Sequence, residues 1–307
     1  MNTFHHLLAA TDLSSSSLHA VDRGFLIAGQ AGARYTVVHA LELDALTQLR
    51  DLLGGDASDL TDRIADRVRE ALAQVVSDPS RNRGVAADLR IEPGLAASAV
   101  RRCADEVDAD LVLVGAHGEG FLQRFVLGST ASRLLRTTDV PVLLVKEPCR
   151  APYRRVLVAV DFSPASELAI MLAQRIAAPG ADLHLFHALE MPFEGKLKFA
   201  GAGEELIRRY RSQAIERASR GLHEMATEAG LSEPGCLRRV RHGEASQSIL
   251  AEEEERDCDL IVMGKHGTNF AGELLLGSVT SRVLSQSRSD VLVVVDEQRP
   301  ADGGTDA

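Results

Sequence analysis

The chain contains one long internal repeat. Leu7-Leu8-Ala9-Ala10-Thr11-Asp12-Leu13-Ser14 returns 149 residues later as Val156-Leu157-Val158-Ala159-Val160-Asp161-Phe162-Ser163. Leu111-Val112-Leu113-Val114-Gly115-Ala116-His117-Gly118 returns as Leu260-Ile261-Val262-Met263-Gly264-Lys265-His266-Gly267, and Gly94 has its counterpart in Gly243. Solenoid periods are roughly 20–50 residues, so a period this long means duplicated domains. At 307 residues, each copy is long enough to bury its own core. The expected domains are residues 1–147 and 153–296, joined by the proline-bearing linker Glu147-Pro148-Cys149-Arg150-Ala151-Pro152. A polar tail, 297–307, is expected to be disordered.

Within each copy, short aliphatic runs alternate with amphipathic stretches. In the first, strands are predicted at Phe4–Ala10, Arg34–Leu41, Val85–Ile91, Leu111–Gly115 and Val140–Lys146. Leu60, Ile64, Val68, Leu72 and Val75 form one apolar helical stripe, and Leu206, Tyr210, Ala214, Ala218, Leu222 and Met225 repeat it. Alternating βαβ units predict an α/β fold: two tandem, open, five-stranded parallel sheets flanked by helices, Rossmann-like in layout. Ligands of such sheets sit beyond the carboxyl ends of the strands, where strand order reverses. The last strands, Val140–Val145 and Val291–Val295, are too aliphatic to stand as bare edges. Pairing them with each other would hide both, with Pro141 expected at an edge position.

The pattern that carries chemistry is Gly115-x-x-Gly118, nine residues, then Gly128-Ser129, repeated as Gly264-x-x-Gly267 and Gly277-Ser278. Each copy follows a strand and opens a helix, Ala131–Arg136 or Val279–Leu284. Glycines allow close approach of a phosphate and dihedrals that other residues avoid. The helix N-terminus supplies open N–H groups and a favourable dipole. The hydroxyls of Ser129 and Ser278 are placed either to cap that helix or to donate to phosphate. Asp12 and Asp161 end the first strands, where a carboxylate can accept from an adenine amino group or a ribose hydroxyl, or cap the next helix with Ser14 or Ser163; the two roles can coexist. His117 and His266 either assist a phosphate or fix the turn, and His39 and His187 read as structural.

Composition removes several alternatives. A formal charge of −10, with no Trp, suits neither a phosphodiester backbone nor base stacking, so no nucleic-acid partner is expected. Four scattered cysteines read as reduced thiols. No signal peptide or membrane-length apolar run is read, so the expected place is the cytoplasm. The P-loop pattern is absent, and no catalytic triad or carboxylate pair can be placed. Glu252 to Glu255 read as a solvated face, and Arg238, Arg239 and Arg241 as reaching outward.

The strand-end aspartate, the G-x-x-G-x9-G-S loop and the run GKHGTNFAGELLLGSVTSRVL resemble the universal stress protein family, specifically its ATP-binding branch. Over nearly the whole chain the likeness is to a tandem two-domain member. It implies a five-stranded parallel sheet per half (the adenine-nucleotide alpha hydrolase-like layout), ATP with Mg or Mn on its phosphates, and pairing through the fifth strands. Carried over, Asp161 faces the adenosine and the backbone of Ala188 the adenine edge. Gly264, His266, Gly267, Gly277, Ser278, Val279 and Thr280 surround ribose and phosphates. The first half offers Asp12, Ala40, Gly115, His117, Gly118, Gly128, Ser129 and Thr130. It departs where Ala131 replaces Thr280 and Glu119 replaces Thr268, so the second half is the better expected site. Ala40 and Ala188 stand where some ATP-binding members carry a larger aliphatic residue. The expected role is a nucleotide-binding sensor or regulator in the stress response, with protein partners and further homodimerisation left open. The rivals are a slow ATPase or phosphotransferase using His266 and the bound metal, and a nucleotide-free scaffold.

Overall fold

The structure, a computed structural model, describes residues 4–41, 58–116, 127–191, 193–232, 234–266 and 276–295, with the side chains of 58–62 set aside. The tail 297–307 lies outside the described residues, as do Glu119 and Thr268. The first half runs β1 (His6–Ala10), α1 (Ser15–Ala31), β2 (Arg34–Leu41), α2 (Ser58–Ser77), α3 (Pro79–Asn82), β3 (Asp88–Pro93), α4 (Ala96–Glu106), β4 (Leu111–Gly115), α5 (Ser129–Thr137) and β5 (Val142–Val145). The second runs β6 (Tyr153–Ala159), α6 (Pro164–Ile176), β7 (Ala177–Leu189), α7 (Glu194–Phe199), α8 (Glu204–Glu228), β8 (Cys236–His242), α9 (Ala245–Arg256), β9 (Leu260–Gly264), α10 (Ser278–Gln286) and β10 (Asp290–Val294).

The halves share one ten-stranded sheet, in the order β3-β2-β1-β4-β5-β10-β9-β6-β7-β8. Each half contributes five strands, and the two sets meet through their last strands. Within each half the strands are parallel, and β5 pairs antiparallel with β10, Leu143 opposite Leu292. Both strands are buried throughout, so their aliphatic character reflects a place at the centre of the sheet. Pro141 precedes β5 rather than occupying an edge, and its carbonyl accepts from the Val112 N–H at 3.0 Å. The true edges, β3 and β8, carry charged residues along their length, which discourages pairing with another chain.

Strand alternation divides the core into two layers. Leu7, Leu113, Leu143, Val158, Leu185 and Leu292 face helices α1, α2, α6 and α8. Leu8, Val112, Leu144, Leu157, Phe186 and Val293 face α4, α5, α9 and α10. A buried polar group marks the seam. Asp290 is 2% exposed and accepts from the Tyr153 hydroxyl and the Lys146 N–H, while Arg23 Nε lies 3.5 Å away. The Arg23 guanidinium also covers the Tyr153 ring at 4.1 Å and donates to the Ala151 carbonyl at 2.7 Å. Two lysines bind the halves reciprocally. Lys146 Nζ donates to the Leu284 and Ser287 carbonyls at the end of α10, and Lys265 Nζ donates to the Arg136 carbonyl in the last turn of α5.

The acidic run is solvated only in its second half: Glu254 and Glu255 are exposed, but the first two carboxylates are not. Glu252 is fully buried and Glu253 is 7% exposed. Strand β8 aims Arg239 and Arg241 at α9, so they pair with Glu252 and Glu255 rather than reaching into water. Glu253 accepts from the N–H groups of Arg288 and Ser289. All four cysteines are free thiols, and burial pushes Cys103 up to about 11 and Cys258 up to about 12.

Candidate functional site

The strand order reverses beside β1 and again beside β6: each has its early neighbour on one flank and its late neighbour, β4 or β9, on the other. The carboxyl ends of these pairs bring together the residues the sequence singled out. Asp12 follows β1 and Asp161 follows β6, next to the ends of β4 and β9 at Gly115 and Gly264.

Each aspartate holds a tight turn. Asp12 accepts from the Ser14 N–H at 3.0 Å, and Asp161 from the Ser163 N–H at 3.1 Å and the Ser166 hydroxyl at 2.8 Å. The helix N-caps are Ser14 and Ser163, two residues later, so neither aspartate is the cap itself. Between aspartate and cap, Leu13 and Phe162 take left-handed backbone, at φ 67° and 65°. Side chains with Cβ rarely sit there, and such strain concentrates where a turn must aim functional groups. His39 and His187 brace the same turns, each with Nδ1 on a carbonyl, Thr11 at 2.9 Å and Val160 at 2.7 Å. Their structural reading holds.

The glycines work differently from the dihedral argument. Gly115, Gly128, Gly264 and Gly277 all lie outside the left-handed region, and Gly128 and Gly277 have extended backbone that any residue adopts. A Cβ on Gly115 would stand 2.7 Å from the Ser16 carbonyl carbon, so that glycine lets the end of β4 touch the first turn of α1. A Cβ on Gly264 would stand 3.1 Å from the Ala165 Cβ. At Gly277 the nearest atom would be the Lys265 carbonyl oxygen at 3.3 Å, a tight contact but a longer one than at Gly115.

Gly128 and Gly277 are themselves the N-caps of α5 and α10, and neither makes a side-chain cap bond. Ser129 and Ser278 are therefore the first helical residues, exposed, and do not cap. Among the described residues no bond engages the N–H groups of Ser278, Val279 and Thr280, or of Ser129, Thr130 and Ala131. Gly128 and Gly277 close the loops at their base, donating to the Ala116 and Lys265 carbonyls at 2.9 and 3.1 Å. Thr280 is buried, and its hydroxyl donates to the Gly264 carbonyl at 2.9 Å. It fastens the start of α10 to the end of β9, a role the sequence did not suggest. Ala131 has no hydroxyl to do the same for α5.

Ala40 and Ala188 lie near the ends of β2 and β7, half-buried. Burial and the adjacent Lys265 ammonium lower the His266 pKa from its ordinary value. His117, Gly118 and Gly267 fall outside the described residues.

The pattern of the universal stress protein family matches residues 3–146 and, a second time, residues 152–295. The chain belongs to the universal stress protein family. A universal stress protein of Mycolicibacterium smegmatis is 32% identical over 194 residues, covering 61% of this chain and 62% of the relative. That match therefore spans less than two thirds of the relative's own length. Universal stress protein A homolog 2 of Coxiella burnetii is 30% identical over 145 residues, 46% of this chain and 94% of the relative. A universal stress protein from Archaeoglobus fulgidus superposes with a TM-score of 0.68 at 21% identity, covering 94% of this chain and 98% of that one. It shares the fold. The mostly parallel sheet flanked by helices is thus that of a universal stress protein with the family unit present twice. No helix among the described residues is long and apolar enough to cross a membrane.

Proposed function

We propose that this universal stress protein binds ATP with Mg or Mn on its phosphates, principally in the second half, and acts as a cytoplasmic stress-response sensor or regulator. The observation that carries the reading is the start of α10. Three successive N–H groups, at Ser278, Val279 and Thr280, engage no acceptor among the described residues, and the helix they open is fastened by Thr280 to the strand end beside Asp161. Such a terminus offers fixed donors and a positive dipole end to an anion. The Asp161 carboxylate, on the neighbouring strand end, supplies acceptor oxygens for a ribose or an adenine amino group, and Ala188 lies on the next strand out. The divalent ion supplies charge neutralisation on the phosphates when bound; the chain supplies orientation.

Asp12, Gly128, Ser129 and Thr130 build a counterpart site in the first half, weaker because α5 lacks the threonine clamp. A signal would leave the second site through Lys265, which adjoins Gly264 and holds the last turn of α5 across the seam. Nucleotide-dependent movement of that loop would then shift a surface for a protein partner.

Thermal denaturation tests the reading. ATP with Mg at ~100 times Kd stabilises a protein by about 2.7 kcal/mol, which raises Tm measurably in wild type and Gly128→Gln. In Gly277→Gln the rise is mostly lost. An unchanged Tm for wild type at millimolar ATP and Mg defeats the proposal.

A further inference from the structure

A second concavity lies on the opposite face of the sheet. Leu185 belongs to the layer under α6 and α8, while Phe186 belongs to the other layer. Alternation therefore puts His187 and Leu189 on the α8 side, and Ala188 on the side of α10. Between α8 and the carboxyl ends of β6 and β7 is a cavity of about 910 Å³, with Phe162, His187, Leu189, Tyr210 and Met225 in its wall. Its size is in the range of small-molecule sites.

The space has an origin in sequence. The α2 stripe of the first half carries Ile64, Val68, Leu72 and Val75, whereas the α8 stripe substitutes Ala214 and Ala218, with Gly221 beside it. Gly221 seats the Phe162 ring, since a Cβ there would meet Phe162 Cε1 at 2.9 Å. Phe162 is 39% exposed and lies against the His187 imidazole, 4.5 Å between centroids. Its left-handed backbone holds it there.

The charges at the rim are unbalanced. Glu167, Glu224 and Glu228 line the cavity, and no ion pair among the described residues engages them. Of the two arginines present, Arg220 is paired with Glu216 at 3.0 Å, leaving Arg217 against three carboxylates. Aromatic faces below an anionic rim select a planar cation, through cation–π attraction and direct charge pairing.

We propose that this groove is a binding site for a small planar aromatic cation, separate from the nucleotide site. The test is a fluorescence titration of the full chain with thioflavin T, a planar aromatic cation, and with anilinonaphthalene sulfonate, an anion of similar bulk. Both titrations are run with and without saturating ATP and Mg. Thioflavin T should bind one to one and at least about tenfold more tightly than the anion. Ala214→Leu fills the cavity from a half-buried helix position with a good helix former, and should weaken thioflavin T by about tenfold or more. Glu224→Gln with Glu228→Gln should remove most of the preference for the cation, and Gly277→Gln should change nothing. Equal affinity for both dyes, indifference to Ala214→Leu in a protein with wild-type circular dichroism, or displacement by ATP would each overturn the assignment. Because the groove lies across the sheet, failure of ATP binding leaves this result intact.

Discussion

The Thr280 hydroxyl donates to the Gly264 carbonyl at 2.9 Å, and Ala131 leaves the first half without that bond. Helices α5 and α10 are thus fixed to their strands to different degrees, though both begin with Gly-Ser. A neutral hydrogen bond contributes about 0.5–1.5 kcal/mol. Thr280→Ala should therefore weaken ATP at the second site by about 2–13-fold, and Ala131→Thr should strengthen the first, both read by equilibrium dialysis.

Gly115 and Gly277 occupy related loops but face different neighbours. A Cβ on Gly115 meets α1 backbone at 2.7 Å, which cannot give without moving the helix, while the nearest atom at Gly277 is at 3.3 Å. Gly115→Ala should cost about 1–3 kcal/mol in urea denaturation, as overpacking does. Gly277→Ala should cost less, about 0.5–1 kcal/mol, chiefly through the N-cap position, where glycine is favoured over alanine.

At the seam, Asp290 is buried among Arg23, Tyr153 and the Lys146 N–H. Removing one member of a buried ion pair leaves the other charge uncompensated, at about 3–5 kcal/mol. Asp290→Leu should lower the urea midpoint accordingly, and Arg23→Met should do the same by a similar amount.

His184 makes stability depend on pH. Burial lowers its pKa from 6.5 to about 4, against the opposing pull of Glu252 and with help from Arg256 and Arg239. A base whose folded pKa lies below its unfolded one binds fewer protons when folded, so stability rises with pH between the two values. Acidification from pH 6.5 to 4 should remove up to about 3 kcal/mol through this group. His184→Leu should flatten that part of the profile in urea titrations at stepped pH.

The fold was legible because buried parallel strands write themselves as aliphatic runs. Arg34–Leu41 and Leu111–Gly115 match β2 and β4 to the residue, and the 149-residue offset announced the duplication. The β3 reading started early, at Val85 rather than Asp88, because an edge strand lacks a continuous apolar run. What the sequence could not convey was tertiary contact. Gly115 looks like a loop glycine, yet its requirement comes from Ser16, about a hundred residues away in the chain. Glu252 looks like a member of a surface run until β8 brings Arg239 and Arg241 over it. The Lys146 and Lys265 anchors had one available signal: each directly follows a central strand, where a lysine has little water to reach. Around the candidate site, the repeat picked out Asp161, Gly264, Gly277 and Ser278, which the fold places at neighbouring strand and helix ends, but the Thr280 bond required those ends side by side.

The central claim is that the open start of α10 binds the phosphates of ATP. Calorimetric titration of ATP with Mg into wild type, Gly277→Gln and Gly128→Gln tests it most directly. The account predicts a tighter event that persists in Gly128→Gln and disappears in Gly277→Gln. Absence of heat and stoichiometric uptake in wild type, or a tight event untouched by Gly277→Gln, would contradict it.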